Sequence, residues 1–362
     1  DGEIIDRGLL LYFPAPASFT GEDVVEFQCH GGRVVLDMIL EIVLEAGARL
    51  ARPGEFTQRA FLNDRLDLAQ AEAVADLIAA GSRSAARAAH RSLEGSLSRE
   101  ITALQEALTA LRVYIEGALD FPDEEIDFIA DSDVTRRVDD LLQRVERLHA
   151  SARAGAALVR GIRIAIIGAP NAGKSSLLNA LVERDAAIVT EIPGTTRDIV
   201  REPLEIRGLP VEVLDTAGLR ATEDLVEAEG VRRTHAAMGQ ADGLLWVRDA
   251  TSEQIDEILP EAEAPVITVW NKIDLLQDPP RVQDPDSVAV SALSRAGLAA
   301  LEDRIVSLLG GAGAGEAAFS ARPRQVQSLA ETMSALSRAA EHLGSGTGEL
   351  IAEELTAAQT NL

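Results

Sequence analysis

Gly168-Ala-Pro-Asn-Ala-Gly-Lys-Ser175 reads G-x-x-x-x-G-K-S. The run before it, Arg163-Ile-Ala-Ile-Ile167, is apolar and β-branched, the pattern of a buried parallel strand. The run after it, Ser176-Leu-Leu-Asn-Ala-Leu-Val182, suits a helix. Strand, glycine loop and helix in that order distinguish a phosphate site from a chance glycine-rich turn. Glycines let the backbone fold tightly enough for successive N–H groups to face phosphate oxygens. The helix N-terminus adds its partial positive charge. The expected nucleotide contacts here are Asn171, Ala172, Gly173, Lys174, Ser175 and Ser176. Among them, Lys174 suits the β- and γ-phosphates and the Ser175 hydroxyl suits Mg²⁺.

Four further motifs follow in order. Gly194-Thr-Thr-Arg-Asp198 lies between the phosphate loop and the next strand-end motif. Thr196 is its expected second hydroxyl on Mg²⁺, presented once the γ-phosphate orders the loop. Asp215-Thr-Ala-Gly218, comprising Asp215, Thr216, Ala217 and Gly218, follows the apolar strand Val211-Glu-Val-Leu214. An Asp at a strand end holds a Mg²⁺-bound water, and the glycine N–H senses the γ-phosphate. Asn271-Lys-Ile-Asp274 follows the strand Val266-Ile-Thr-Val-Trp270, so Asn271, Lys272 and Asp274 are base-site residues. A carboxylate at Asp274 accepts both N1–H and the 2-amino group of guanine. Adenine offers neither donor, and an unpaired buried carboxylate is costly. Ser291-Ala-Leu293 follows Val288-Ala-Val290, and the backbone of Ser291, Ala292 and Leu293 completes the base pocket. Each of the four motifs is weak alone; five in this order, at strand ends, specify a GTP-hydrolysing domain.

The water-orienting group is less plain. Ras-like GTPases carry Gln just after the DTAG motif, and here that residue is Leu219. The loop from Arg220 to Gly230 offers Glu223, Asp224, Glu227 and Glu229 instead. Arg197 and Arg220 read as solvated loop arginines rather than as arginine fingers.

Composition bounds the rest. A length of 362 residues implies two or three domains, and 3% aromatic content implies aliphatic cores. A net charge of -25 excludes binding to nucleic acid by bulk phosphate attraction. Cys29 is alone, which rules out an intrachain disulfide and fits a reducing cytosol. No apolar run approaches membrane-spanning length. The chain opens on Asp1-Gly-Glu without signal peptide or initiator Met, so a trimmed cytoplasmic protein is expected.

Outward from the phosphate loop, the texture changes twice. Residues 1–60 mix short apolar runs with turns, as a partial α+β domain would, with a helix at 34–44. Gln28-Cys-His-Gly-Gly32 reads as a tight turn, with His30 structural because no partner group is spaced to make a site. Residues 67–97 are alanine-rich and helical. Leu104, Leu108, Leu111, Ile115 and Leu119 form one amphipathic stripe, and Val134, Val138, Leu141, Val145 and Leu148 another. Asp120-Phe-Pro-Asp-Glu-Glu125 separates them, and Asp131-Ser-Asp133 offers N-caps. A glycine-rich linker at 310–315 precedes a third stripe: Val326, Leu329, Met333, Leu336, Ala340 and Leu343. Helices of one type on both sides predict a multi-domain α/β plus all-α chain. Its mostly parallel nucleotide domain (158–315) is inserted into a helical bundle (64–157 and 316–362) and preceded by a partial domain (1–63).

GAPNAGKS, GTTRD, DTAGLR, NKID and SAL resemble the potassium-dependent GTPases that carry a hydrophobic residue in place of the catalytic Gln. Arg52-Pro-Gly-Glu-Phe-Thr-Gln-Arg-Ala-Phe-Leu-Asn-Asp-Arg-Leu-Asp-Leu-Ala-Gln-Ala-Glu-Ala73 narrows this. It resembles a hallmark of the MnmE/TrmE family, the tRNA-modification GTPases, and Gly21-Glu-Asp-Val-Val-Glu26 and Gln28-Cys-His-Gly-Gly32 fit the same family. The resemblance implies an N-terminal domain that binds 5-formyl-tetrahydrofolate through Glu26 and Arg65 and that forms a homodimer. It implies a K⁺ site on Asn171 with backbone oxygens of Thr190, Ile192 and Thr195, and a water-positioning Glu227 as the catalytic residue. It implies work with an FAD-containing partner (MnmG/GidA) on C5 of the wobble uridine in tRNA. The start of the family's N-terminal domain and its Cys-x-Gly-Lys tail are not in the sequence. A GTPase switch in ribosome assembly, like Era or Der, shares the nucleotide motifs. It would carry a basic RNA-binding module or a second nucleotide domain, where here the flanks are acidic and helical.

Overall fold

The structure, a computed structural model, describes residues 4–120, 132–185, 204–214, 238–252, 262, 264–277, 284–310, 319–345 and 348–362. Near the N-terminus, β1 (Leu9–Phe13) and β2 (Val24–Gln28) form an antiparallel pair with Leu11 opposite Glu26. They precede α1 (Arg33–Glu45) and α2 (Glu55–Leu62). The helix expected over 34–44 lies within α1, but none of its residues is buried. The hallmark stretch after it makes an ion-pair network. Glu55 accepts from Arg49 at 2.9 Å, from the Arg52 N–H at 2.8 Å and from Arg59 at 3.0 Å. Arg59 also reaches Glu22 at 2.7 Å, and Asn63 donates to the Thr20 carbonyl at 2.8 Å. The Glu55–Asn63 turns of the hallmark thus fasten the loop between β1 and β2.

The next four helices are α3 (Leu68–Ile78), α4 (Arg83–Leu93), α5 (Ser96–Asp120) and α6 (Ser132–Arg160). The alanine-rich stretch read as helical is interrupted twice, between α3 and α4 and at the Glu94–Gly95 turn before α5. Asp67 and Gln70 form a capping box that starts α3, and the Ser82 hydroxyl accepts from the Ala85 N–H at 3.1 Å to start α4. Gly81 lies between α3 and α4, where the Ser82 cap begins a new helix. The stripes of α5 and α6 face one core, with Leu104, Leu108, Leu111, Ile115, Val134, Val138, Leu141, Val145 and Leu148 buried. Leu119 departs from its stripe and is exposed at the end of α5. Ser132 and Asp133 fall inside the first turn of α6, and Asp131 lies outside the described residues. After the nucleotide segment, α9 (Pro323–Ser345) and α10 (Gly348–Asn361) close the same core with Leu329, Leu336 and Leu355. Each such leucine removed from water contributes about 1.5–3 kcal/mol.

Between α6 and α9 lies a six-stranded sheet. Its strands are β3 (Ile162–Ile167), β4 (Leu204–Ile206), β5 (Leu209–Leu214), β6 (Gly243–Asp249), β7 (Val266–Asn271) and β8 (Ser287–Ala289). The order is β4-β5-β3-β6-β7-β8, all parallel except the β4–β5 hairpin. Two helices accompany it, α7 (Lys174–Asp185) and α8 (Leu298–Ile305). Strands added after β3 go first to one side and then to the other, so β3 and β6 flank the switch point where ligands bind in such sheets.

The sheet and the bundle share surfaces. Ala85 and Ala88 of α4 and Ala154 and Leu158 of α6 belong to the core built on β3. The Ser82 hydroxyl donates to the Gly208 carbonyl, in the β4–β5 turn, at 2.8 Å. The returning chain at 319–322 is pinned between helices. A Cβ on Gly155 would stand 2.2 Å from the Phe319 oxygen, so only glycine permits that approach. The Ser320 N–H donates to the Ser92 hydroxyl at 2.9 Å, and Arg322 pairs with Asp76 at 2.5 Å. Arg324 grips Glu72 with two bonds at 2.6 and 2.7 Å. Glu72 and Asp76 are one turn apart on α3, so one helix face holds the start of α9.

Candidate functional site

The loop 168–173 leaves the C-terminal end of β3 at the switch point. Gly168 has φ +141°, and a Cβ there would meet the Val247 oxygen of β6 at 2.1 Å. Gly173 has φ +92°, and a Cβ there would meet the Asn271 side-chain nitrogen at 2.2 Å. Both glycines are therefore obligatory on steric grounds. Asn171 holds φ +66°, the left-handed conformation that Asn tolerates. The Lys174 ammonium donates to the Gly168 and Ala169 carbonyls, at 2.7 Å each. The lysine side chain is thus folded onto the loop's own carbonyls. Ser175 and Ser176 are exposed in the first turn of α7, whose N–H groups no intrahelical bond consumes. Ala172 is buried and forms part of the floor.

Asn271, at the end of β7, is 2% exposed. Its amide donates to the Ala172 carbonyl at 2.9 Å, and its side-chain oxygen accepts from the Ala292 N–H at 3.0 Å. One side chain thus ties the phosphate loop to the Ser291–Leu293 loop. Ser291 is fully buried, and its hydroxyl accepts from the Ser294 N–H at 3.0 Å. Asp274 is exposed in the 3-10 turn Ile273–Leu275, with its carboxylate open to an approaching base. Leu293 is 86% exposed beside it, an apolar surface on the rim of the base loop. The structure therefore brings together Asn171, Ala172, Gly173, Lys174, Asn271, Ser291 and Ala292, with Lys272, Asp274 and Leu293 at the edge.

Thr190, Ile192, Thr195, Thr196, Asp215, Thr216, Ala217, Gly218 and Glu227 lie outside the described residues. Glu26 and Arg65, the two positions expected to bind folate, have simpler surroundings than the nucleotide loop. Glu26 is exposed on β2, and Arg65 is exposed with its alkyl stem 3.1 Å from where a Cβ on Gly21 would stand. Among the described residues no hydrogen bond joins Glu26 to Arg65. His30 has a partner that spacing did not reveal. Its ring nitrogen lies 2.8 Å from Asp6, whose other oxygen accepts from the His30 N–H at 2.8 Å. The His30 N–H, the His30 ring and the Arg7 N–H hold the Asp6 carboxyl below the usual carboxylate range. The pair fastens the turn after β2, a structural role. No group of three or more His, Cys, Asp or Glu among the described residues could hold a metal ion. No helix there is long and apolar enough to cross a membrane.

Residues 68–362 match the family model described as the MnmE helical domain. Residues 1–65 match the model described as the GTP-binding protein TrmE N-terminus. The tRNA modification GTPase MnmE of Coxiella burnetii (strain RSA 493 / Nine Mile phase I) is 49% identical over 372 residues, covering 100% of this chain and 82% of that protein. The protein of that name from Alkalilimnicola ehrlichii (strain ATCC BAA-1101 / DSM 17681 / MLHE-1) is 50% identical over 375 residues, with the same two coverages, 100% and 82%. Among solved structures, the G domain of the T. maritima FeoB iron transporter is 25% identical and covers 41% of this chain and 98% of its own. Its TM-score of 0.28 is too low for that likeness to bear on the fold.

Proposed function

The chain belongs to the MnmE/TrmE family, and on that premise we propose that it is a GTP-hydrolysing enzyme of tRNA modification. The observation that carries the nucleotide half of this reading is the Asn271 clip, which couples the phosphate loop to the base loop through two hydrogen bonds. A phosphate seated on the loop would be met by Lys174 and the first-turn N–H groups of α7. Asp274 selects guanine by accepting from N1–H and the 2-amino group. Glu227 orients the attacking water in place of the glutamine that Leu219 replaces.

The residues near α7 fit a bound cation. Ser175 presents an exposed hydroxyl in the first turn of the helix, and Asn171 presents its side chain at the lip of the loop. Mg²⁺ would be held by Ser175 with Thr196, and K⁺ by Asn171 with backbone oxygens of Thr190, Ile192 and Thr195. Together the two ions would supply positive charge to the phosphoryl oxygens as hydrolysis proceeds. The finer proposal extends to a homodimer, to an FAD-containing partner, to C5 of the wobble uridine as the modified position, and to 5-formyl-tetrahydrofolate bound through Glu26 and Arg65.

Hydrolysis of GTP by the wild-type chain in KCl and in NaCl at matched ionic strength tests the ion assignment. Turnover is expected to be high in KCl and low in NaCl, with the difference lost in Asn171→Ala while Mg²⁺·GTP still binds. Equal rates in the two salts rule out the K⁺ site. Nucleoside analysis of tRNA from cells lacking the full-length protein tests the substrate. Unchanged wobble uridines would overturn that half of the proposal.

A further inference from the structure

Asp249 ends β6 and sits beside Lys272 at the end of β7. One of its oxygens accepts from the Thr251 N–H at 2.9 Å and from the Thr251 hydroxyl at 2.6 Å. The other accepts from the Lys272 ammonium at 2.6 Å. The carboxylate is thus fixed by its own turn before it meets the lysine. The strand ends around it are held in register from two sides. The Ala250 N–H donates to the Asn271 carbonyl at 2.9 Å. Arg248 stacks over the rings of both Trp246 and Trp270, 4.6 Å from each centroid. Lys272 itself is in the left-handed region, at φ +69°. Its neighbours in sequence are Asn271, which clips the two loops, and the 3-10 turn that carries Asp274.

Resting on the nucleotide reading above, we propose that Asp249 is a positioning residue for guanine-nucleotide binding, acting through the Lys272 side chain. A lysine has four rotatable bonds, and ordering it on ligand binding is costly when nothing holds it beforehand. The Asp249 carboxylate holds the ammonium in place before the nucleotide arrives, so that cost is met in folding. Burial works to raise the Asp249 pKa, but bonds from Lys272 and from the Thr251 side chain and N–H outweigh it and hold the carboxyl below its ordinary range. The Asp249 carboxyl is therefore ionised at neutral pH. It belongs to the strand ends that carry Asn271 and the Asp274 turn, so the effect expected is on affinity and not on the chemical step.

The test is a double-mutant cycle on the whole chain, with GDP affinity measured by calorimetry. Lys272→Met and Asp249→Ala are each expected to weaken GDP roughly tenfold, the scale of one hydrogen bond to a charged group. The double variant is expected to bind no more weakly than Lys272→Met alone, because Asp249 has nothing left to position. KM for GTP should rise in Asp249→Ala while kcat holds, and Asp249→Asn, which keeps an acceptor oxygen, should recover part of the affinity and serves if the alanine variant does not fold. Losses that multiply in the double variant overturn the proposal, as does unchanged affinity in Asp249→Ala. A wild-type chain that binds no GDP at all would bring down the nucleotide reading together with the proposal. A chain that binds GDP normally with Lys272→Met brings down the proposal alone.

Discussion

β1 and β3 are both short, mostly apolar strands, yet they end in opposite environments. Leu9 and Leu10 on β1 are 65% and 64% exposed, whereas Ile164 and Ile166 on β3 are each 1% exposed. β3 has strands on both sides and helices against it, and its side chains join a core with α4, α6 and α7. β1 has a single neighbour, and among the described residues little covers either face of the pair. Apolar composition alone therefore does not make a core; neighbours do. The N-terminal unit is held instead by charge, through the Arg49–Glu55–Arg59–Glu22 network.

The contrast predicts different responses to substitution. Ile164→Ala should cost about 2–5 kcal/mol in urea unfolding, the range for truncating a buried branched side chain. Leu10→Ala should stay within about 0.5 kcal/mol, as an exposed substitution does. Comparable losses at the two positions would show that burial does not separate the two strands. Lys174→Ala comes next. It should weaken GDP and GTP on the order of 10²-fold, since it removes a charged donor from the phosphate loop, and leave the unfolding midpoint of the sheet near wild type. A smaller, pH-dependent effect should appear in the N-terminal unit. Arg49, the Arg52 N–H and Arg59 hold the Glu55 carboxyl below its ordinary range against the effect of burial. A lowered folded pKa gives stability that is present above the unfolded value and lost as pH falls through the folded one. Limited proteolysis on an acid titration should therefore open the Glu55 region before the β3 sheet. Simultaneous opening of the two would show that charge is not what secures the first.

The nucleotide loop was the most legible part of the chain. Its glycines, lysine and flanking strand are contiguous in sequence, and local spacing is enough to read them. The bundle stripes were legible for the same reason, because helical period places their leucines on one face. What escaped was long-range or needed an exact backbone. Asp6 meets His30 across 24 residues, with no periodic signal to link them. Asp249 is a lone carboxylate after an apolar run, and only the parallel pairing of β6 with β7 brings it to Lys272. The break before α4 depends on the Ser82 cap, which an alanine-rich pattern conceals. Gly155 reads as an ordinary helix residue until the returning chain is seen to cross it.

A guanine-nucleotide site on the sheet built on β3 stands or falls with the role of Asp274. Affinities for GDP and xanthosine diphosphate should be measured side by side for the wild-type chain and Asp274→Asn. The wild type is predicted to prefer GDP, and the variant to prefer xanthosine diphosphate, because exchanging a carboxylate for an amide inverts the donor–acceptor pattern at N1 and the 2-position. An unchanged preference for GDP in Asp274→Asn would contradict the assignment of the base site.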